Sequence, residues 1–253
     1  MVAERPKVIA VCGKGGVGKT SISALITKVL IAEGKKRILA IDADPAVGFA
    51  SALGIKVGRT VTDIRNEVIE KSKVDRSDKK AILAKIDYQV FEAMIEKDGY
   101  AFLAIGRPET DGCYCRVNTY LKTIIEAMVL NFDYVIIDGE AGIEQVNRRV
   151  MEEVSHLLLV SDCSYKGINV IKTINEVAAS GVMKYERAGV LLNRLKDDRE
   201  TELVDLEPLE LLGAMLDDDM IRSFDIQDRP LLELPFNQSC EKIKEVLIKF
   251  DVL

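Results

Sequence analysis

Histidine occurs once in this 253-residue chain, and cysteine only five times. Cys12, Cys113, Cys115, Cys163 and Cys240 are too sparse and too uneven for a disulfide framework, so reduced thiols in a cytoplasm are expected. The lone histidine, His156, begins an expected strand, with no metal-ligand pattern around it. No long basic run appears and the formal net charge is −6, which speaks against nucleic acid as a partner. No stretch approaches the roughly 20 apolar residues needed to span a bilayer, so no stable membrane anchor is expected. The opening MVAERPKVIAVC also lacks the apolar core of a signal peptide. Internal repeats, low-complexity tracts and Pro/Gly-rich linkers are absent, which favours one domain over residues 1–253.

What remains is 48% hydrophobic and 30% charged, enough apolar residues for a large buried core. Nearly continuous apolar runs at 7–12, 37–42, 100–105, 134–138, 156–160, 188–193 and 211–216 read as strands buried on both sides. Helical stretches separate them, the first being TSISALITKVLIAEG, which stops at Gly34. The expected fold is therefore α/β: a mostly parallel central sheet flanked by helices on both faces. The charged segment 60–98 reads as a helical insertion on one face. The last helix, within CEKIKEVLIKFDVL, sets Ile243, Val246, Leu247 and Phe250 on one stripe. Its lysines are offset by Glu241, Glu245 and Asp251, so packing on the sheet is expected rather than membrane binding.

GKGGVGKT (13–20) follows the first strand and opens the first helix, and it satisfies the P-loop pattern with Gly13, Gly18, Lys19 and Thr20 in register. Its glycines let backbone N–H groups turn inward around phosphate, and the helix N-terminus adds a favourable dipole. Lys14, Gly15, Gly16 and Val17 complete the loop, with Ser21 next on the helix. Lys19 would reach the outer phosphates of ATP or ADP, and the Thr20 hydroxyl would ligate Mg²⁺. Asp42 and Asp44 end the second strand in IDADP, and Asp138 ends a later strand in VIIDGEAGIE, where a carboxylate can hold Mg²⁺ and the glycines allow a mobile switch.

Lys14 inside KGGVGKT makes the loop resemble the deviant Walker A motif of the MinD/ParA/nitrogenase-iron-protein class of P-loop NTPases. The resemblance implies that Lys14 crosses a homodimer interface to the partner's nucleotide. It also implies that Asp44 orients the attacking water and that Asp42 sits near the Mg²⁺ shell. Asn193, at the end of GVLLNR, resembles the adenine-reading asparagine of the class.

DGCYCRVNT (111–119) supplies Cys113 and Cys115, one residue apart. From a helix interior such a pair points in nearly opposite directions, whereas extended or turn geometry puts both thiols on one side. Two thiolates half-fill a tetrahedral site, and a two-fold homodimer completes it with the same pair from the second chain. Cys163 is a rival third ligand; Cys12 and Cys240 read as packing residues. The C-x-C pair together with DGEAGIE resembles the CooC family of nickel-insertion ATPases and the related acetyl-CoA synthase accessory protein. That implies an ATP-hydrolysing homodimer holding one Ni²⁺ or Zn²⁺ between protomers. Its client would be a nickel–iron–sulfur enzyme, either carbon monoxide dehydrogenase or acetyl-CoA synthase. A MinD/ParA-type positioning switch and an iron–sulfur carrier or reductase are the alternatives.

Overall fold

The computed structural model describes residues 5–74, 79–107, 115–139, 142–143, 146 and 150–253. Its centre is an eight-stranded sheet. The strands are β1 (Lys7–Gly13), β2 (Ile38–Asp42), β3 (Ile95–Lys97), β4 (Tyr100–Ala104), β5 (Tyr134–Asp138), β6 (Glu153–Ser161), β7 (Lys184–Leu195) and β8 (Leu211–Leu216), in spatial order β3-β4-β2-β5-β1-β6-β7-β8. Every pairing is parallel except β3 with β4, so this is a mostly parallel sheet with one antiparallel edge strand.

Side-chain alternation explains the two covered faces. Val8, Ala10, Cys12, Leu39, Ile41, Val135 and Ile137 point to one face. There they meet α3 (Val61–Val74), α4 (Lys79–Ala93), α5 (Cys115–Val129) and α6 (Tyr165–Val177) through residues such as Ile64, Val90, Ile125 and Ile171. Ile9, Val11, Ile38, Ala40 and Ile136 point to the other. That face is covered by α1 (Lys19–Ala32), α2 (Gly48–Ala52), α7 (Asp219–Ile226) and α8 (Gln238–Lys249). The stripe Ile243, Val246, Leu247 and Phe250 is buried there, with α8 lying against α1 and β8. Cys12 and Cys240 are fully buried in the two apolar clusters, as packing residues.

Two elements depart from the expected pattern. The segment 60–98 is helical over α3 and α4, but it closes with β3, joined to β4 by the two-residue turn Asp98–Gly99. Gly99 has φ +87°, and an Asp-Gly pair of this kind suits a tight hairpin. Strands β6 and β7 begin three and four residues ahead of their apolar runs, because their first residues sit at the polar end of the sheet. Among the described residues, no helix is long and apolar enough to cross a membrane.

Parallel strands bring their C-terminal ends to one edge of the sheet, the customary ligand side of such folds. Gly13, Asp42, Asp138, Ser161 and Leu195 all end strands there.

Candidate nucleotide site

The loop from β1 to α1 is shaped by positions that only glycine fills. Gly13 has φ +153°, and a Cβ there would sit 2.0 Å from the Val160 carbonyl oxygen on the neighbouring strand β6. Gly18 has φ +94° and initiates α1, and a Cβ there would meet Asn193 Nδ2 at 2.6 Å. At the exposed crest, a Cβ on Gly15 or Gly16 would meet nothing within 4 Å. Lys19, the first residue of α1, is buried, and its Nζ lies 3.3 Å from the Lys14 carbonyl, so its ammonium is folded over the loop. Ser21 follows Lys19 and Thr20 in the first turn of α1.

Beneath the loop lie two carboxylates. Asp42 and Asp138 are direct register partners on β2 and β5, and both are fully buried. Asp138 Oδ2 accepts from the Thr20 hydroxyl at 2.7 Å, and its Oδ1 lies 2.9 Å from Ser23 Oγ. Asp42 is turned to backbone instead. Its Oδ2 accepts from the Phe49 and Ala50 amides, at 2.9 and 3.2 Å, and its Oδ1 from the Asp44 amide at 3.2 Å. The expected Mg²⁺-shell residue is thus also the anchor of the loop 43–50. Asp44 is half-exposed, its Oδ1 accepting from the Ala46 amide at 2.8 Å.

Burial pushes Asp42 up to about 7, helped by the charge of Asp138 and opposed by the three amides. Burial likewise pushes Asp138 up to about 6, against the Thr20 and Ser23 hydroxyls and Lys19. Both folded values lie above the unfolded carboxylate range, so the native state binds more protons through this window and stability falls as pH rises through it. His156 works the other way, since burial lowers its value, but it is one group against two. The nucleotide- and metal-free protein is therefore expected to melt at higher temperature at pH 6 than at pH 8, and Asp42→Asn to flatten the profile. A melting temperature that climbs from pH 6 to pH 8 contradicts this.

The described residues place the other expected site residues as follows. Lys14 forms an ion pair within its own chain, Nζ to Asp162 Oδ2 at 3.5 Å, at the end of β6. Burial raises the Asp162 carboxyl, but hydrogen bonds from Ser164 and the Lys14 charge outweigh it and hold the group below its ordinary value. Asn193 abuts the loop, donating from Nδ2 to the Val17 carbonyl at 2.8 Å. Of the thiol pair, Cys115 opens α5; Cys113 lies outside the described residues, as does the side chain of Cys115. So do Glu140, Ala141 and Glu144 of the second switch segment. Cys163 is half-buried, its thiol raised by burial and by Glu200 and Asp162. Among the described residues no group of three or more His, Cys, Asp or Glu is placed to hold a metal ion; the thiols with which Cys163 would act as a third ligand, Cys113 and Cys115, lie outside them.

Ser23, Asp162 and Arg194 belong to the site and were not anticipated. Ser23 lies one helical turn beyond Thr20, a spacing that puts both hydroxyls on one face. Asp162 and Arg194 carry no comparable sequence signal.

The model of the AAA domain matches residues 6–185. An uncharacterized ATP-binding protein of Methanocaldococcus jannaschii is 36% identical over 250 residues, covering 96% of this chain and 97% of that protein. The carbon monoxide dehydrogenase accessory protein CooC of Rhodospirillum rubrum is 28% identical over 180 residues, covering 67% of this chain and 68% of CooC. In fold, the chain is similar to the septum site-determining protein MinD of Pyrococcus horikoshii OT3 complexed with Mg-ADP. The TM-score is 0.69 at 18% identity, covering 95% of this chain and 94% of that one. With its P-loop between β1 and α1 and its mostly parallel sheet, the chain belongs to the AAA domain family of P-loop proteins.

Proposed function

We propose that this chain is an ATP-hydrolysing, homodimeric metal-maturation factor that places nickel in a nickel–iron–sulfur enzyme. The observation that carries the nucleotide half is the loop 13–20 itself, with Lys19 folded over it and Thr20 joined to Asp138 beneath it. Thr20 Oγ1 and Asp138 Oδ2, 2.7 Å apart, are hard oxygen donors of the kind Mg²⁺ takes, so these two residues would hold it. Bound there, Mg²⁺ supplies neutralising charge to the β- and γ-phosphates. The loop amides and Lys19 bind and orient the phosphates. Asp44, half-exposed after β2, would orient the attacking water. Lys14 would exchange Asp162 for the nucleotide of the second chain.

The cargo half rests on Cys113 and Cys115 and on the likeness to CooC over two-thirds of the chain. Each chain would bring one thiolate pair to a shared Ni²⁺ or Zn²⁺, so that metal binding and dimerisation are one coupled event. A MinD/ParA-type positioning switch has support of its own in the likeness to MinD along nearly the whole chain. Nickel titration followed by sizing, with ADP or ATP present, separates the two. Wild type is expected to take up one ion per pair of chains, and Cys113→Ala/Cys115→Ala to lose it. Unchanged metal uptake and unchanged nucleotide-dependent dimerisation in the double variant overturn the metal role. ATP-dependent co-sedimentation with vesicles or DNA favours the positioning switch, and a brown protein with a cluster absorption band favours an iron–sulfur carrier.

A further inference from the structure

Two consecutive side chains of β7 grip two consecutive carbonyls of the phosphate loop. Asn193 Nδ2 donates to the Val17 carbonyl at 2.8 Å, and Arg194 Nη1 donates to the Gly16 carbonyl at 2.6 Å. In a regular strand, neighbouring side chains leave on opposite faces, and only one of the two would reach the loop. Here the β7–β8 register slips between Leu192 and Leu195. Arg194 takes a left-handed conformation, φ +63°, which non-glycine residues seldom adopt. The bulge turns both side chains the same way, toward residues 16 and 17. Fit on the far side is close, since Asn193 Nδ2 occupies the space a Gly18 side chain would need.

The peptide bonds of the loop are trans, so each N–H points opposite to the carbonyl it adjoins. Holding the Gly16 and Val17 carbonyls against β7 turns the Val17 and Gly18 N–H groups away from β7, as an anion-binding nest requires. We propose that Asn193 and Arg194 are positioning residues: a clamp that pre-organises the loop for polyphosphate, whatever base is attached. The proposal rests on the reading of 13–20 as a phosphate site. It gives Asn193 Nδ2 to the loop backbone, whatever the rest of its amide does toward a base. A pre-formed nest spares the ligand the entropy of ordering the loop on binding.

Calorimetric titration with Mg-ATP and with Mg-tripolyphosphate, which has no base, tests the clamp. Loss of the charged donor frees the loop from its bound geometry, so Arg194→Ala is expected to weaken both ligands by about tenfold, with at most a small fall in melting temperature. Arg194→Lys, which keeps a charged donor, is expected to recover most of that loss. Asn193→Ala is expected to weaken tripolyphosphate as well as ATP, and to speed amide exchange over residues 13–20. A loss confined to ATP assigns Asn193 to the base and overturns the clamp, as does unchanged amide exchange or tripolyphosphate binding within twofold of wild type in both alanine variants. Should wild type bind neither ligand, the phosphate-site reading falls first and the clamp with it; binding by wild type alongside unaffected variants removes the clamp alone.

Discussion

Lys19→Ala is expected to cut ATP turnover by roughly 100-fold or more while leaving the melting temperature close to that of wild type. The two halves of this expectation have separate physical sources. Lys19 stands at the first position of α1, where its Nζ makes one contact at 3.3 Å with the Lys14 carbonyl. Alanine suits a helix at least as well as lysine, so loss of that single long contact costs the fold little. The phosphate charge, by contrast, finds no substitute for the ammonium among the other cationic side chains of the same chain beside the loop. Arg194 is engaged with the Gly16 carbonyl and Lys14 with Asp162. Turnover of Mg-ATP by a phosphate-release assay, with melting measured in parallel, gives the answer. Turnover within tenfold of wild type removes Lys19 from its assigned role, and with it the reading of the loop as a hydrolytic site.

The central strands were legible because burial on both faces demands unbroken apolar runs, as in KVIAVC and YVIID. The same criterion misplaced the starts of β6 and β7. Glu153 and Lys184 are exposed ladder partners at the rim, and rim residues need not be apolar. It passed over β3 altogether, because three residues flanked by a long charged segment carry too short a pattern; only Asp98–Gly99 marked the hairpin. At the site, the glycines of 13–20 and the strand-end Asp42 and Asp138 were readable because their chemistry is local. The partners of those residues were not. Lys14 with Asp162, Asn193 with Val17, and Asp42 with the amides of 49 and 50 depend on which strand lies beside which. Strand order is a property of the folded sheet, and nothing in a run of apolar residues specifies it. The Asp42–Asp138 pairing shows this most sharply, since 96 positions along the chain separate two side chains that share one register step.

That pairing sets the second large effect. Asp138→Asn is expected to raise the melting temperature of the nucleotide- and metal-free protein at pH 8 and to lower Mg-ATP turnover by about 100-fold or more. Burial holds the Asp138 carboxyl up at about 6, so keeping it ionised at pH 8 costs the fold on the order of 3 kcal/mol, at about 1.4 kcal/mol per pH unit. Asparagine removes this charge at nearly equal volume, and it also relieves Asp42 of a like charge on the adjacent strand. Its amide still offers one acceptor and one donor to the Thr20 and Ser23 hydroxyls, and Ser23 keeps the Lys19 carbonyl at 3.0 Å as a second acceptor. Hydrogen-bond losses are therefore about 1 kcal/mol, less than the charge term. Function runs the opposite way, because a neutral amide is a poor partner for Mg²⁺ beside a polyphosphate. The destabilising carboxylate is kept for the ligand it faces. Melting at pH 8 and turnover on the same preparation decide the matter. A variant that melts lower than wild type yet retains turnover would falsify both the charge argument and the assignment of Asp138 to the metal. The gain in stability should also shrink toward pH 5, where the native carboxylate is itself protonated.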